Sequence, residues 1–334
     1  MSVIEVGGYQ IYQIDDFIAL DIPEIPSLLG NNLIVPQGKV IIYGSPGAGK
    51  SFAAHQLCTA LAGSSEWLGY PIHKNIKTLY LQAENVPKMF QERATKMRES
   101  TYGKVPNFYA SYISDFYFNG EVAWQKAVDM INAVGAEFVL FDPLFNVMSG
   151  SELDDKAVDT FIKYLNRIIA ATGAGVGLVH HSRKASFNKD GGINNGGADD
   201  LRGHSAIHGW ADTIVRLRKQ STEKVSGGIR MEWQKVRYKS EPTEDWLIFD
   251  DKSGILRLSE DDPVTIIKQI LVDGPKLIQD VQTELQRRTG LGKRGTIDLR
   301  MRMERTKFPA FARYDDPVNR TRKMYRIKED KDEF

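Results

Sequence analysis

The sequence predicts an α/β fold: a mostly parallel, twisted sheet covered by helices, followed by a small C-terminal domain of winged-helix type. Three observations predict it. Between Val40 and Val179, apolar runs of strand length alternate with amphipathic runs of helical length, the pattern of parallel strands joined by crossover helices. Within that alternation, Val40–Tyr43, a glycine-rich turn and a helical run to Ala62 follow one another directly. After an acidic break that ends in Pro263, three short helical patterns and two strand-like pieces complete the chain.

A chain of 334 residues can bury one large core, or one large and one small. Its 42% hydrophobic and 26% charged residues are those of a globular protein and exclude a disordered or fibrous class. The net charge of +1 hides a segregation. Residues 276–328 hold 15 Lys+Arg against 6 Asp+Glu, a net +9, so the remainder is acidic. The single cysteine, Cys58, lies among Leu57 and Leu61 and reads as a core residue in a reducing cytosol. The N-terminus shows no basic region followed by an apolar stretch, and no run reaches the ~18 apolar residues of a membrane span. The expected location is cytoplasmic, with no membrane partner.

The elements follow in order. Residues 1–32, with short apolar pieces and Pro23 and Pro26, read as an N-terminal arm. The main domain spans 33–258. Strands are expected at Val40–Tyr43, Thr78–Gln82, Phe138–Phe141 and Val176–Val179; helices at Ser51–Ala62, Val86–Arg98, Val122–Val134 and Lys156–Ala171. Thr213–Leu217, Ile229–Val236 and Trp246–Phe249 have strand character with no helices between them, which predicts antiparallel strands added at one side. The C-terminal domain, 263–334, should contain helices at Val264–Val272, Lys276–Arg288 and Arg294–Arg305 and strands at Phe311–Tyr314 and Lys323–Lys328.

The turn Gly44-Ser45-Pro46-Gly47-Ala48-Gly49-Lys50-Ser51 has the spacing G-x-x-x-x-G-K-S, and Phe52 continues it into the helix. Its glycines let successive backbone N–H groups face phosphate oxygens, above a positive helix end. Lys50 would reach the β- and γ-phosphates, and the Ser51 hydroxyl would bind Mg²⁺. The second piece of such a site is a carboxylate at the end of a buried strand, and Asp142 after Phe138–Phe141 supplies it, holding the Mg²⁺ that Ser51 also touches. Glu84 closes another strand at the same sheet edge. Position alone leaves it either the base that activates the attacking water or a first-turn acid of the next helix. His180-His181 closes a third strand; His180 is taken as the sensor of the γ-phosphate and His181 as structural. Ser182–Leu201 lacks apolar periodicity, is glycine-rich, and carries Arg183, Lys184 and Lys189, which could meet a nucleic-acid backbone or be a solvated loop. Lys235 and Arg237 share one strand face and could be solvated or act on a neighbour's nucleotide. In the C-terminal domain Arg300 and Arg302 are candidate DNA contacts, with a solvated basic helix as the alternative.

Taken together, GSPGAGKS, LYLQAEN with Arg93 nine residues after Glu84, FVLFDP, LVHHSRK, a glycine-rich loop and LRGHS resemble the RecA-like hexameric ATPases, and most closely the RepA-type, DnaB-like replicative helicases. The resemblance covers roughly residues 20–250. It implies ATP and Mg²⁺ as ligands, Glu84 as catalytic base, Asp142 as the Mg²⁺-linked acid, and His180 as the coupler of γ-phosphate to the following loop. It also implies loops that line a central channel and grip single-stranded DNA. Lys235 and Arg237 look like a Lys-x-Arg finger. The RepA-type finger arginine falls near Asp212, where this chain has none, leaving Arg237, Arg216 and Arg218 as candidates. The implied protein is a ring-forming DNA helicase or translocase of phage or plasmid replication, a hexamer, whose C-terminal domain binds duplex DNA or a replication protein. Alternatives are a recombination mediator that binds single-stranded DNA without unwinding, and an ATP-switched DNA-binding regulator.

Overall fold

The computed structural model describes residues 3–22, 26–84, 86–113, 116–150, 154–181, 205–222, 225–238, 244–259, 263–289, 311–319 and 321–327. An N-terminal hairpin, β1 (Val3–Val6) and β2 (Tyr9–Tyr12), leads to the short helix α1 (Ile14–Ile18). The main domain runs β3 (Lys39–Gly44), α2 (Lys50–Gly63), the small hairpin β4 (Glu66–Trp67) and β5 (Tyr70–Pro71), β6 (Thr78–Gln82), α3 (Pro87–Met97), β7 (Phe108–Tyr112), α4 (Glu121–Val134), β8 (Phe138–Asp142), α5 (Asp155–Thr172) and β9 (Gly175–His181). It continues through α6 (Ser205–Trp210), β10 (Thr213–Thr222), β11 (Val225–Val236), β12 (Glu244–Asp250) and β13 (Ile255–Leu258). Then come α7 (Pro263–Ile270), β14 (Lys276–Leu277), α8 (Ile278–Thr289), β15 (Phe311–Asp315) and β16 (Lys323–Ile327).

One nine-stranded sheet, in the order β13-β12-β11-β10-β3-β9-β8-β6-β7, forms the main domain. The six strands from β10 to β7 are parallel, and β11, β12 and β13 add antiparallel to β10. The parallel core with antiparallel strands at one side is therefore as expected. The strands bury both faces, which is why they read as unbroken apolar runs. Ile41, Tyr43, Leu79, Val139, Phe141 and Leu178 pack under α4 and α5; Val40, Ile42, Tyr80, Phe138, Leu140 and Val179 pack under α2. That alternation fixes which face each strand-end residue serves.

Several elements differ from expectation. The strand β7 was not foreseen: it is short, only partly buried and at the sheet edge, so its apolar signal is weak. Leu28 and Leu29, placed in the arm by the sequence, are 2% and 0% exposed and belong to the α2-side core. Lys276 and Leu277 form a strand paired with β16, so the helix expected from Lys276 begins at Ile278. The C-terminal part has its own core, with Ile266, Ile267, Leu271, Val281, Leu285 and Tyr325, and a three-stranded sheet in the order β14-β16-β15. The expected helix Arg294–Arg305 lies outside the described residues. Among the described residues no helix is long and apolar enough to cross a membrane.

Candidate active site

Parallel strands present their carboxyl ends at one edge, and the glycine turn, Glu84, Asp142 and the two histidines lie there. Gly44 ends β3 in register with Leu217 of β10. A Cβ on Gly44 would lie 2.1 Å from the Leu217 carbonyl oxygen, so no side chain fits. Gly49 caps α2 at φ 83°, the left-handed region open to glycine, and so turns the chain into the helix with its N–H groups facing the turn. Gly44 through Ser51, with Phe52 behind them, thus form a bare backbone concavity at a helix N-terminus, the arrangement that takes a phosphate.

Lys50 is 6% exposed, and its Nζ donates to the Ser45 carbonyl at 2.9 Å, folded back across the turn. Burial lowers its pKa, and the charges of Asp142 and Glu84 oppose that. Asp142 ends β8 and is 1% exposed. It accepts from Ser51 Oγ at 3.2 Å and from the Tyr80 hydroxyl. Burial nonetheless raises its pKa, because the hydrogen bonds and the nearby Arg93 only partly offset desolvation. The Ser51 hydroxyl and the buried Asp142 carboxylate thus meet at one point beside the glycine turn, a pair of oxygens that fits a divalent cation. Glu84, exposed, follows β6 two residues past Gln82, which lies level with Asp142. Its backbone N–H is held by Gln82 Oε1 at 3.1 Å, and it bears electrostatically on both Lys50 and Asp142.

The two histidines separate by face. His180 pairs with Tyr43 and His181 with Gly44. By the strand alternation His180 shares the α4–α5 face with Tyr43 and Leu178 and is fully buried, whereas the half-buried His181 shares the α2 face with Asp142 and Tyr80. The sequence reading takes His180 as the sensor; by strand phase, His181 is the one that shares the face of Asp142. Periodicity was the available signal, but it needs the strand's phase relative to Asp142.

Arg93, quoted from the sequence without a role, is the residue that was missed. It reaches back from α3 with its guanidinium 4.3 Å from the Phe52 ring centroid. Its Nε and Nη1 are buried without a hydrogen-bond partner, beside Asp142 and Tyr80. Phe52 in turn meets Phe249 edge-on, at 4.6 Å between centroids.

Lys235 and Arg237 lie elsewhere. Val236 pairs with Thr213, which is level with Val40 at the start of β3, so both cations sit at the amino edge, opposite their own glycine turn. Lys235 Nζ donates to the His208 carbonyl at 2.8 Å, and Arg237 Nε meets Asp212 Oδ1 at 3.1 Å. Arg216 and Arg218 approach Glu232 within the same chain at 3.7 and 3.4 Å, and Arg216 is buried. Arg183, Lys184, Lys189, Arg300 and Arg302 lie outside the described residues.

The solved ATPase domain of the protein G-40P shares the fold, with a TM-score of 0.51 and 14% sequence identity over 67% of this chain and 85% of that one. No curated protein matches the sequence. The AAA domain family matches residues 10–186, just over half of the chain, and includes the glycine turn, Glu84, Asp142 and both histidines. This chain belongs to the AAA domain family.

Proposed function

We propose that the protein is an ATP-hydrolysing, ring-forming DNA helicase or translocase of phage or plasmid replication. The observation that carries this is the convergence of the glycine turn, Lys50, Ser51, Asp142, Glu84 and His181 on one sheet edge, while Lys235 and Arg237 stand at the opposite one. Ser51 and Asp142 would hold Mg²⁺, which when bound neutralises phosphate charge. Lys50 exchanges the Ser45 carbonyl for phosphate oxygens. Glu84 accepts a proton from the attacking water, and Arg93 supplies positive charge within the subunit. His181, on the nucleotide face, replaces His180 as sensor, and leads directly into the segment expected to touch single-stranded DNA. Lys235 and Arg237 cannot reach their own nucleotide across the sheet, so a role in hydrolysis requires a neighbouring subunit. Such fingers are worth about 10³–10⁵ in rate.

The helix–strand–helix–hairpin order after Pro263 supports a winged-helix reading, and the +9 charge of 276–328 supports binding of duplex DNA there. The test is steady-state ATP turnover with Mg²⁺, with and without single-stranded DNA. Turnover should rise with DNA, and Glu84→Gln should lower it by at least about 10² while ATP still binds. Unchanged turnover in Glu84→Gln would remove the base assignment. Turnover indifferent to DNA would favour an ATP-switched regulator.

A further inference from the structure

Two buried tyrosines donate their hydroxyl protons to buried aspartates. Tyr70 of β5 meets Asp245 of β12, and Tyr80 of β6 meets Asp142 at the end of β8. The second pair stands at the candidate cation site. Tyr80 pairs with Leu140, two residues before Asp142, so the strand alternation puts phenol and carboxylate on the same α2 face. From there the ring reaches along the strand to the carboxyl edge. Its hydroxyl donates to Asp142 Oδ2, and it lies 3.5 Å from the Ser51 carbonyl oxygen. Ser51 Oγ donates to the other oxygen, Oδ1, at 3.2 Å. Among the described residues these two hydroxyls are the donors to the Asp142 side chain, one on each oxygen.

The phenol is itself held. Phe90 of α3 stacks on it at 5.5 Å between centroids, His55 of α2 tilts against it at 5.4 Å, and Phe108 of β7 meets it edge-on at 6.5 Å. Three elements grip one ring, so it cannot leave the carboxylate without displacing one of them. A free carboxylate turns about its last torsion with little preference and can offer a cation one oxygen or two. The Tyr80 bond stops that rotation and occupies Oδ2, which leaves Oδ1 toward Ser51. The distinction matters for the choice of cation. Ca²⁺ gathers about six to eight oxygens and gains from a carboxylate that gives both. Mg²⁺ demands a tight octahedron and is served by single oxygens.

We propose that Tyr80 is a positioning residue that sets the cation preference of the site: it presents Asp142 through Oδ1 alone, which favours Mg²⁺ over Ca²⁺. This rests on the proposed reading of Asp142 as a cation ligand. Tyr80 acts only through that carboxylate.

The test is cation binding to the full-length protein with ADP, read as Mn²⁺ held by the protein in electron paramagnetic resonance and displaced by Mg²⁺ or by Ca²⁺. Tyr80→Phe keeps the ring and removes the hydroxyl. It should weaken Mg²⁺ about tenfold or more while Ca²⁺ binds as well as before or better, so the preference falls by the same factor. Tyr70→Phe removes the same kind of bond from the same side of the sheet, with β10 and β11 between β12 and β3. It should lower the melting temperature and keep the preference. Phe90→Leu retains the phenol but loosens its ring, and should shift the preference in the same direction by less. A parent preference retained in Tyr80→Phe, or in Phe90→Leu should Tyr80→Phe not fold, would overturn the proposal. So would an equal loss for both cations, or an equal shift in Tyr70→Phe. Asp142→Asn separates the two levels. If it binds both cations as the parent does, the ligand reading fails and this proposal with it. If it loses them while Tyr80→Phe matches the parent, this proposal alone fails.

Discussion

His55 shows how one residue ties the site to the stability of the fold. It lies on α2, stacked on Phe90 at 5.1 Å between centroids and tilted against Tyr80 and Phe108. Burial first, and Arg93 second, hold its pKa near 3, so it is neutral in the folded protein. Unfolded, it takes a proton below about pH 6.5. Its contribution therefore falls as pH drops from about 6.5 toward 3, at up to about 1.4 kcal/mol per pH unit. Asp142, with a raised pKa, works in the opposite direction in acid. Comparing chemical-denaturation curves of the parent and His55→Phe across this range isolates the histidine: the variant should lose stability less steeply, and parallel slopes would contradict the account. The two histidines of β9 give a second contrast at this scale. His181→Ala should lower ATP turnover about 10²-fold with ATP binding and melting temperature retained. His180→Ala, in the α4–α5 core, should instead lower the melting temperature; equal kinetic losses without destabilisation would contradict the face assignment.

The elements explain what the sequence could and could not disclose. The buried parallel strands β3, β6, β8 and β9 were legible because they are apolar on both faces, and the glycine turn because its spacing is fixed by phosphate geometry. Other features depend on tertiary partners. The edge strand β7 alternates weakly, β14 is two residues whose identity as a strand comes from β16, and the amino-edge position of Lys235 and Arg237 follows from strand register. The face of each histidine required the phase of neighbouring strands. Arg93 became recognisable only when α3 folded back over Phe52. A long-range tether was equally hidden. The Gln56 amide of α2 both donates to and accepts from the backbone of Leu256, each at 3.0 Å, and so fastens the edge strand β13 to the helix that carries Lys50. Gln56→Leu leaves two buried backbone groups unpaired and should cost about 2–4 kcal/mol by equilibrium denaturation. A cost near zero would show that the tether is idle.

At the scale of the whole molecule, the sheet separates two functions by its two edges. The carboxyl edge gathers the phosphate turn, the Ser51–Asp142 pair and Glu84; the amino edge carries cations that cannot serve their own subunit. On the proposed function, a role for Lys235 and Arg237 in hydrolysis makes turnover a property of an assembly. The most direct measurement is strand separation on a forked DNA duplex by the full-length protein with ATP and Mg²⁺, with Glu84→Gln alongside. The account predicts ATP-dependent unwinding by the parent and none by Glu84→Gln. ATP hydrolysis by the parent with no strand separation on any fork polarity would contradict it.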